Sequence, residues 1–523
     1  MELKNIAELQ KASSRAQKEI FKLGMGLLFV LAIMLYTTLK LEVSGNQGSI
    51  MIIAAMIAGY MAMNIGANDV ANNVAPAVGS KSLTMTWAII IAAIFEMMGA
   101  LIAGGDVVST IRGGIIDQKL ISDGNRFIWV MTSALLAGAL WLNFATMVGA
   151  PVSTTHSIVG AVLGAGLAAG GLDVVNWPVM TGIVLSWVVS PVLGGLVAAG
   201  FLYWIKRSIT YQPDMISAAK KTVPLLIGIM SFAFTTYLIL KGFNKIWKVD
   251  FWLACVIGIV IGTLTWLVVR PLVNHRAKTI EPNKAGINSL FTVPLIFSAA
   301  LLSFAHGAND VANAVGPLAA IVDTVMQGNV SSKAEIPIWV MVLGALGISL
   351  GLTLYGPKLI RTVGGEITEL DQMRAFCIAM SASLTVIVAS QLGLPVSSTH
   401  IAIGGIFGVG FLRERLKKQY SRMVEHIRLH HSGEDKELVE QYLVKFTQAD
   451  IAAKKLMLKQ LKINEAEVLL SKKERKKMKR VYREELVKRS AVYKIFAAWI
   501  ITVPASALMA AGIFYLVMLS AAG

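Results

Sequence analysis

Two segments of this chain share an unusual sequence motif. Residues 66–76 read GANDVANNVAP and residues 307–317 read GANDVANAVGP, and both lie inside long apolar runs. An ionised Asp inside a membrane costs roughly 2.5–3.5 kcal/mol on insertion scales, so these carboxylates must face protein, water or a cation. Gly66 and Gly307 permit a backbone break. The carbonyls of an unwound segment and the Asp carboxylate are oxygen ligands that suit Na⁺, or the carboxylate itself could carry a proton. The alternative is an Asn-Asp pair that only caps a half-helix. The pattern favours two broken helices, each with a cation site at its carboxylate, Asp69 or Asp310.

A second motif also occurs twice and opens a glycine-rich apolar helix each time. Residues 151–156 read PVSTTH and residues 395–400 read PVSSTH. Proline suits the first helical turn, and Ser and Thr cap helix starts. Free N–H groups and the positive end of the helix dipole make such a start an anion site. Two facing starts would form a neutral cradle for a tetrahedral oxyanion, whereas the plainer interpretation is capping of two re-entrant helices. The predicted ligands are Ser153, Thr154, Thr155, Ser397, Ser398 and Thr399.

Two further ionisable residues lie inside apolar runs, at positions where the two copies of the sequence differ. Glu96 has the apolar counterpart Ile348, and His306 stands where the first copy has Ile65. An intramembrane carboxylate is a functional candidate by default, so Glu96 is either a second cation or proton site or a buried, hydrogen-bonded Glu. The two copies should therefore not behave identically.

An alternative hypothesis from a different functional class is a hydrolase with a Ser-His dyad. Ser153 with His156, or Ser397 with His400, would be the nucleophile and base. Both pairs are local capping patterns, and neither a GxSxG elbow nor an Asp-oriented His accompanies them. We therefore predict that the protein is not an enzyme and needs no cofactor beyond a coupling ion.

The elements that must hold these motifs are membrane helices. Hydrophobic residues make up 55% of the 523 residues and charged residues only 15%, against about 25% in soluble proteins. Thirteen apolar runs are about 20 residues or longer, which is the length that crosses a bilayer core. The composition predicts an all-α polytopic membrane protein with about 12–13 transmembrane segments, in the cell (plasma or inner) membrane.

The chain also looks internally duplicated. A weaker match pairs residues 187–203 with 499–515, in the same order as the two motifs. Loops rich in Lys and Arg usually stay in the cytoplasm. This rule predicts a cytoplasmic N-terminus and an outer C-terminus, with the first copy beginning on the outer side of the membrane and the second on the inner side. Of the basic loops, only 241–249 then lies on the outer side. Opposite starts indicate inverted-topology repeats. The predicted parts are an N-terminal cytoplasmic segment and extra helix (1–49), the first repeat (50–204), linking helices (205–287), the second repeat (288–412 and 491–518) and a basic cytoplasmic insertion (413–490).

The insertion 413–490 carries much of the positive charge. Its 22 Lys and Arg against 12 Asp and Glu supply +10 of the net charge of +17. Charge alone would allow nucleic-acid binding, but a segment tethered between spans is more often a solvated insertion, and its run 472–480 could attract anionic lipid headgroups. We therefore expect the lipid bilayer, and no nucleic acid, as a partner.

The paired motifs resemble the duplicated signature of the inorganic phosphate transporter (PiT) family. The resemblance covers both copies and implies inverted-repeat cation–phosphate symporters driven by Na⁺ or H⁺, with some relatives carrying sulfate. By matching motif positions it implies phosphate at the hydroxyls, with Asn72 and Asn313 near both sites. It also implies cation contacts at Asn68, Asp69, Asn309 and Asp310. The GAND spelling is more similar to the Na⁺-coupled branch than a GFHD-like form is. The extra N-terminal helix and the insertion depart from the simplest pattern.

The expected function is phosphate uptake by Na⁺ symport. The alternatives are H⁺-coupled uptake of phosphate or metal-phosphate, a sulfate permease, and a phosphate sensor that signals through 413–490. A protonated phosphate can donate a hydrogen bond to a carboxylate that sulfate would leave unpaired, which favours phosphate. Small residues such as Gly160 and Gly164 permit close packing within one chain or in a homodimer, and leave the oligomeric state open.

Overall fold

The computed structural model is helical throughout the part of the chain that it describes. This part comprises residues 2–40, 45–121, 123–148, 150, 152–242, 248–327, 336–366, 370–428 and 489–522, so most of the predicted insertion 413–490 lies outside it. The helices are α1 Glu2–Lys40, α2 Asn46–Asn68, α3 Val70–Gly79, α4 Met85–Ala103, α5 Gly105–Gly113, α6 Gly124–Val148, α7 Thr154–Gly170, α8 Trp177–Ile205, α9 Met215–Lys241, α10 Phe251–Arg276, α11 Lys284–Ser289, α12 Thr292–Gln327, α13 Ile338–Glu366, α14 Gln372–Gln391, α15 Ser398–Arg428 and α16 Arg489–Ala522.

Eleven helical segments of the described chain are long and apolar enough to cross a membrane. They correspond to eleven of the thirteen predicted apolar runs. The other two runs, 151–170 and 395–412, form α7 and the apolar start of α15. At 1.5 Å per residue the 17-residue α7 is about 26 Å long, which is less than the roughly 30 Å of a bilayer core. The prediction of an all-α polytopic membrane protein is confirmed.

The two halves of the chain exchange their packing partners. Helix α2 packs on α13, and its counterpart α12 packs on α4, which is the counterpart of α13. In the same way α7 packs on α16, and its counterpart α15 packs on α8. Reciprocal contacts of this kind are what two copies related by a pseudo-two-fold axis produce. The boundaries of the copies and their opposite orientation in the membrane stay predictions.

Glycines bring these helix pairs into backbone contact, and each close crossing occurs twice. A Cβ on Gly66 would lie 1.9 Å from the carbonyl oxygen of Ile348, and a Cβ on Gly307 would lie 2.1 Å from that of Glu96. Small residues let membrane helices approach closely, because packing and not water expulsion drives their association. The same arrangement joins α7 to α16 at Gly164 and α15 to α8 at Gly408.

The predicted backbone breaks at the GAND motifs are only partly present. The first copy is interrupted at Asp69, where α2 ends and α3 begins, yet the Asp69 N–H still donates to Ile65 at 2.9 Å. In the second copy α12 runs without a break from Thr292 to Gln327, so the prediction of a broken second helix is wrong. The physical reason is that the motif glycine provides close helix packing there and leaves the backbone helical.

We expect Gly66→Ala to lower the stability of the folded protein. Its methyl group has no room against the Ile348 carbonyl, and overpacking of this kind costs roughly 1–3 kcal/mol. Thermal unfolding of the protein in detergent measures the effect. Gly200→Ala in α8 is the matched control, because its Cβ would meet no atom within 4 Å and should leave the unfolding temperature unchanged or higher. Equal unfolding temperatures for the two variants would contradict the close crossing.

Candidate functional site

The two motif carboxylates lie side by side, although 241 positions separate them in the chain. Asp69 lies at the junction of α2 and α3, Asp310 lies midway along α12, and both are buried. The Thr154 hydroxyl, at the start of α7, is 2.7 Å from Asp69 Oδ2 and 3.2 Å from Asp310 Oδ2. The Thr399 hydroxyl, at the start of α15, donates to Asp69 Oδ1 at 2.9 Å. Both predicted motifs of both copies therefore meet at one place.

Asn72 and Asn313 cross-link the copies at this place. The Asn72 amide donates to Thr399 Oγ1 at 2.8 Å. The Asn313 amide lies 3.1 Å from Thr154 Oγ1 and 3.2 Å from Thr155 Oγ1. Each asparagine thus contacts the helix start of the opposite copy. The threonine hydroxyls therefore lie between these amides and the carboxylates, and a binding role of the two asparagines stays a prediction.

Asn68 and Asn309 hold the segments that lead into the second motifs. The Asn309 amide donates to Ser390 Oγ at 3.0 Å and to the Leu394 carbonyl at 3.1 Å, and it accepts from the Val396 N–H at 3.3 Å. In the amide orientation that satisfies both ends, Asn68 accepts from Thr146 Oγ1 at 2.9 Å and donates to the Val152 carbonyl at 3.2 Å. Their amide oxygens already have donors, so cation binding by these two asparagines stays a prediction.

The hydroxyls of the helix starts divide into two groups. Ser153 accepts from the His156 N–H at 3.1 Å and Ser397 accepts from the His400 N–H at 3.2 Å, so both cap their helices. Ser398, the counterpart of Thr154, has a buried hydroxyl without a hydrogen-bond partner in the described chain. The capping interpretation therefore fits the two serines that cap, and Ser398 has a hydroxyl free to bind an anion.

Glu96 lies at the end of a polar chain that leads to Asp310. Its Oε2 is 2.7 Å from His306 Nδ1, and its Oε1 accepts from the Asn73 amide at 2.7 Å. At the other nitrogen of the ring, His306 Nε2 is 3.0 Å from Asp310 Oδ2, within ion-pair distance but outside hydrogen-bond geometry. Asp69, His306 and Asp310 each offer a ligand atom within 4.8 Å of the others. The three residues form one buried cluster able to hold a cation.

The pairing of Glu96 with His306 was missed by reasoning on each residue alone. The signal was present, because both residues replace isoleucines at matching positions of the other copy, namely Ile348 and Ile65. Gly66 packs on the Ile348 backbone just as Gly307 packs on the Glu96 backbone. One crossing therefore carries an apolar pair and its counterpart carries a polar pair. Asn73 was also missed, although it stands where the second copy of the motif has Ala314, and it bonds to the same Glu96. Thr146 and Ser390 were missed because they lie outside the repeated motifs.

We expect Glu96→Ile and His306→Ile to destabilise the protein singly by more than they do together. Removing one partner of a buried pair leaves the other unpaired, which costs roughly 3–5 kcal/mol, whereas apolar replacement of both is often close to neutral. Thermal unfolding of both single variants and the double variant gives the coupling between the positions. The natural Ile65 and Ile348 pair shows that the fold accommodates two isoleucines at such a crossing. Additive losses would contradict a direct pair.

Comparison of this chain with known proteins gives the same result for sequence and for structure. A model of the phosphate transporter family matches residues 65–510. A protein of Helicobacter pylori described as "putative phosphate permease" is 52% identical over 98% of both chains, and one of Pyrococcus furiosus with the same description is 39% identical over 70% of this chain and 88% of its own. A solved structure of "the sodium-dependent phosphate transporter" is 32% identical, with a TM-score of 0.73 over 90% of this chain and 99% of that one. The protein is therefore an integral membrane protein that belongs to the phosphate transporter family.

Proposed function

We propose that the protein takes up inorganic phosphate by symport with Na⁺. The observation that carries the proposal is the shared Thr154 hydroxyl, which joins two buried carboxylates to a helix start that can bind an anion. Membership of the phosphate transporter family supports the substrate. The solved relative, named as sodium-dependent, supports Na⁺ as the coupling ion. Transport needs no chemical step, which agrees with the prediction that the protein is not an enzyme.

The shared hydroxyls suggest how cation and anion occupancy are coupled. A threonine hydroxyl carries a single proton, and in this structure Thr154 and Thr399 direct theirs at Asp69. When Na⁺ binds the carboxylates, the cation takes over the stabilisation of their charge. The two hydroxyls are then free to donate to a phosphate held at the helix starts. Phosphate binding is therefore weak until the cation has bound, and this dependence is what symport requires.

The carboxylates also favour phosphate over sulfate. Near neutral pH phosphate carries at least one proton, which can be donated to a carboxylate oxygen. Asp310 Oδ1 is buried without a hydrogen-bond partner among the described residues, so it is a suitable acceptor. Sulfate carries no such proton and would leave that oxygen unpaired, at a cost of about 1–3 kcal/mol or more for a charged group.

The predicted orientation has the N-terminus in the cytoplasm and the C-terminus outside, in the cell membrane. The weak point was the basic loop 241–249, which falls on the outer side. Lys241 forms an ion pair with Asp106 of α5, so part of the positive charge of that loop is neutralised. Lys248 is exposed, and residues 243–247 lie outside the described chain. A homodimer stays a prediction.

We expect Ser398→Ala to raise the phosphate KM by about tenfold or more and to leave protein stability unchanged. Its hydroxyl has no described protein partner to lose, whereas a hydrogen bond to a charged ligand contributes about 1.5–3 kcal/mol. Uptake at varied phosphate concentration and thermal unfolding separate the two effects. Ser397→Ala is the matched control, because it removes a helix cap and should lower stability by about 1 kcal/mol. An unchanged KM in Ser398→Ala would remove this serine from the site.

Phosphate uptake into proteoliposomes tests the whole proposal. Radiolabelled phosphate should accumulate under an imposed Na⁺ gradient, with excess sulfate as an unlabelled competitor that has no effect. Asp69→Asn and Asp310→Asn should each lower uptake by about tenfold or more, the factor that corresponds to losing one contact to a charged group. Asp173→Asn, at an exposed loop position, is the matched control and should transport normally.

The other outcomes of this experiment each identify an alternative. Uptake driven only by a pH gradient would make Asp69 and Asp310 proton carriers. Inhibition by sulfate without phosphate accumulation would identify a sulfate permease. Deletion of 429–488 addresses the sensor hypothesis, since surviving uptake in that variant would show that transport does not depend on signalling through the insertion.

A further inference from the structure

Four aromatic rings form a stack between the two copies, next to the site but outside it. Trp187 of α8 lies on His156 of α7 with ring centroids 3.7 Å apart. His156 lies on His400 of α15 at 4.5 Å, and His400 lies on Trp499 of α16 at 3.7 Å. The planes of neighbouring rings are inclined by 30–43°. Both histidines are buried, with exposed fractions of 5% and 1%. We call these four residues the aromatic column.

The histidines of the column use their ring faces and not their nitrogens. Neither ring nitrogen of His400 and not the Nδ1 of His156 has a hydrogen-bond partner within the described chain. A buried polar atom without a partner costs free energy, so another contact must favour imidazole at these positions. Stacking against an indole is such a contact, because offset aromatic pairs gain energy beyond the area that they bury.

The column is joined to both helix starts of the proposed phosphate site. His156 follows Thr154 and Thr155 in the first turn of α7, and its backbone N–H is held by the Ser153 cap. His400 occupies the matching place in α15, where its N–H is held by Ser397. On one side the column is also fixed to a motif backbone, because Trp187 Nε1 donates to the carbonyl of Pro395 at 3.1 Å.

The contact between His156 and His400 joins equivalent residues of the two copies. The two residues are counterparts in the repeated motif, and counterparts that touch each other must lie on the pseudo-two-fold axis. In alternating access by inverted repeats, one repeat moves largely as a rigid body against the other around a fixed site at their interface. A contact on the axis beside that site is where such a movement changes the distance between the copies least.

We propose that His156 and His400 are positioning residues: their stacked rings set the separation of the two phosphate-binding helix starts and form a pivot that stays closed in both transport states. The proposal rests on the proposed phosphate site at those helix starts. It assigns the histidines a role in aligning the two helix starts that carry Thr154 and Ser398, without contact between imidazole and substrate.

The first test compares two double variants in proteoliposomes. His156→Phe with His400→Phe keeps the stacked rings and removes the nitrogens, so the phosphate KM should stay within about twofold of the parent protein. His156→Ala with His400→Ala removes the stack and should raise the phosphate KM by about three- to tenfold, the factor expected from aromatic pairs. Because the binding of the two ions is coupled, the Na⁺ concentration for half-maximal uptake is measured with phosphate at the same multiple of each variant's KM, and it should then stay unchanged. Loss of transport in the phenylalanine variant would overturn the proposal, because it would make the ring nitrogens essential.

The second test asks whether the contact stays closed. In a background with Cys255→Ser and Cys377→Ser, the double variant His156→Cys with His400→Cys is bridged by Hg²⁺, and uptake is compared before and after bridging, with His156→Cys alone as the control. Retained uptake supports a fixed pivot, and uptake abolished only in the double variant overturns it. Uptake by the parent protein is measured in parallel, so a failure of the phosphate proposal shows itself separately as absent transport in every sample.

Discussion

The interaction on which the rest of the structure depends is the approach of two carboxylates inside the membrane protein. Asp69 and Asp310 are both buried, and one threonine hydroxyl lies within hydrogen-bond distance of each. Two negative charges this close repel each other strongly in a medium of low dielectric constant. Hydroxyl donors from both helix starts, together with His306 beside Asp310, offset that repulsion, and this requirement explains why the motifs of both copies converge on a single point.

The packing of the helices follows from the need to hold that point still. Donors placed by four different elements keep their distances only if the elements themselves cannot slide. Backbone contact at the glycine crossings provides this restraint, since the glycine has no side chain and meets the main-chain carbonyl of the partner helix. Membrane helices gain little from the hydrophobic effect between them, so close van der Waals packing must supply the rigidity.

The repeated motifs allowed much of the site to be predicted from the sequence. Carboxylates in apolar runs are rare and need polar partners, so the types and spacing of the motif residues indicated which side chains the fold would bring together. The glycines were harder, because a glycine permits both a backbone break and a close crossing, and only the partner helix decides between them. At Gly307 the partner is the backbone of Glu96, and the helix stays intact.

The support of the site was hidden for a related reason. The amide groups of Asn68 and Asn309 can bind a cation or hold a loop in place, and the motif sequence does not distinguish the two roles. Their structural partners, such as Ser390 and the Leu394 carbonyl, lie about 80 positions away in the sequence. The Glu96–His306 contact spans 210 positions, and only a comparison between the copies, position by position, would have suggested it.

The single Glu96–His306 pair also bears on why both copies occupy one chain. In a homodimer of half-length subunits every residue occurs twice, so a polar crossing would flank the paired carboxylates on both sides or on neither. A covalently joined pair of copies is free of that restriction. One crossing carries isoleucines, and the other carries an acid and a base beside Asp310. Fusion of the halves thus permits an electrostatically lopsided site inside a nearly symmetric scaffold, which no assembly of identical subunits could form.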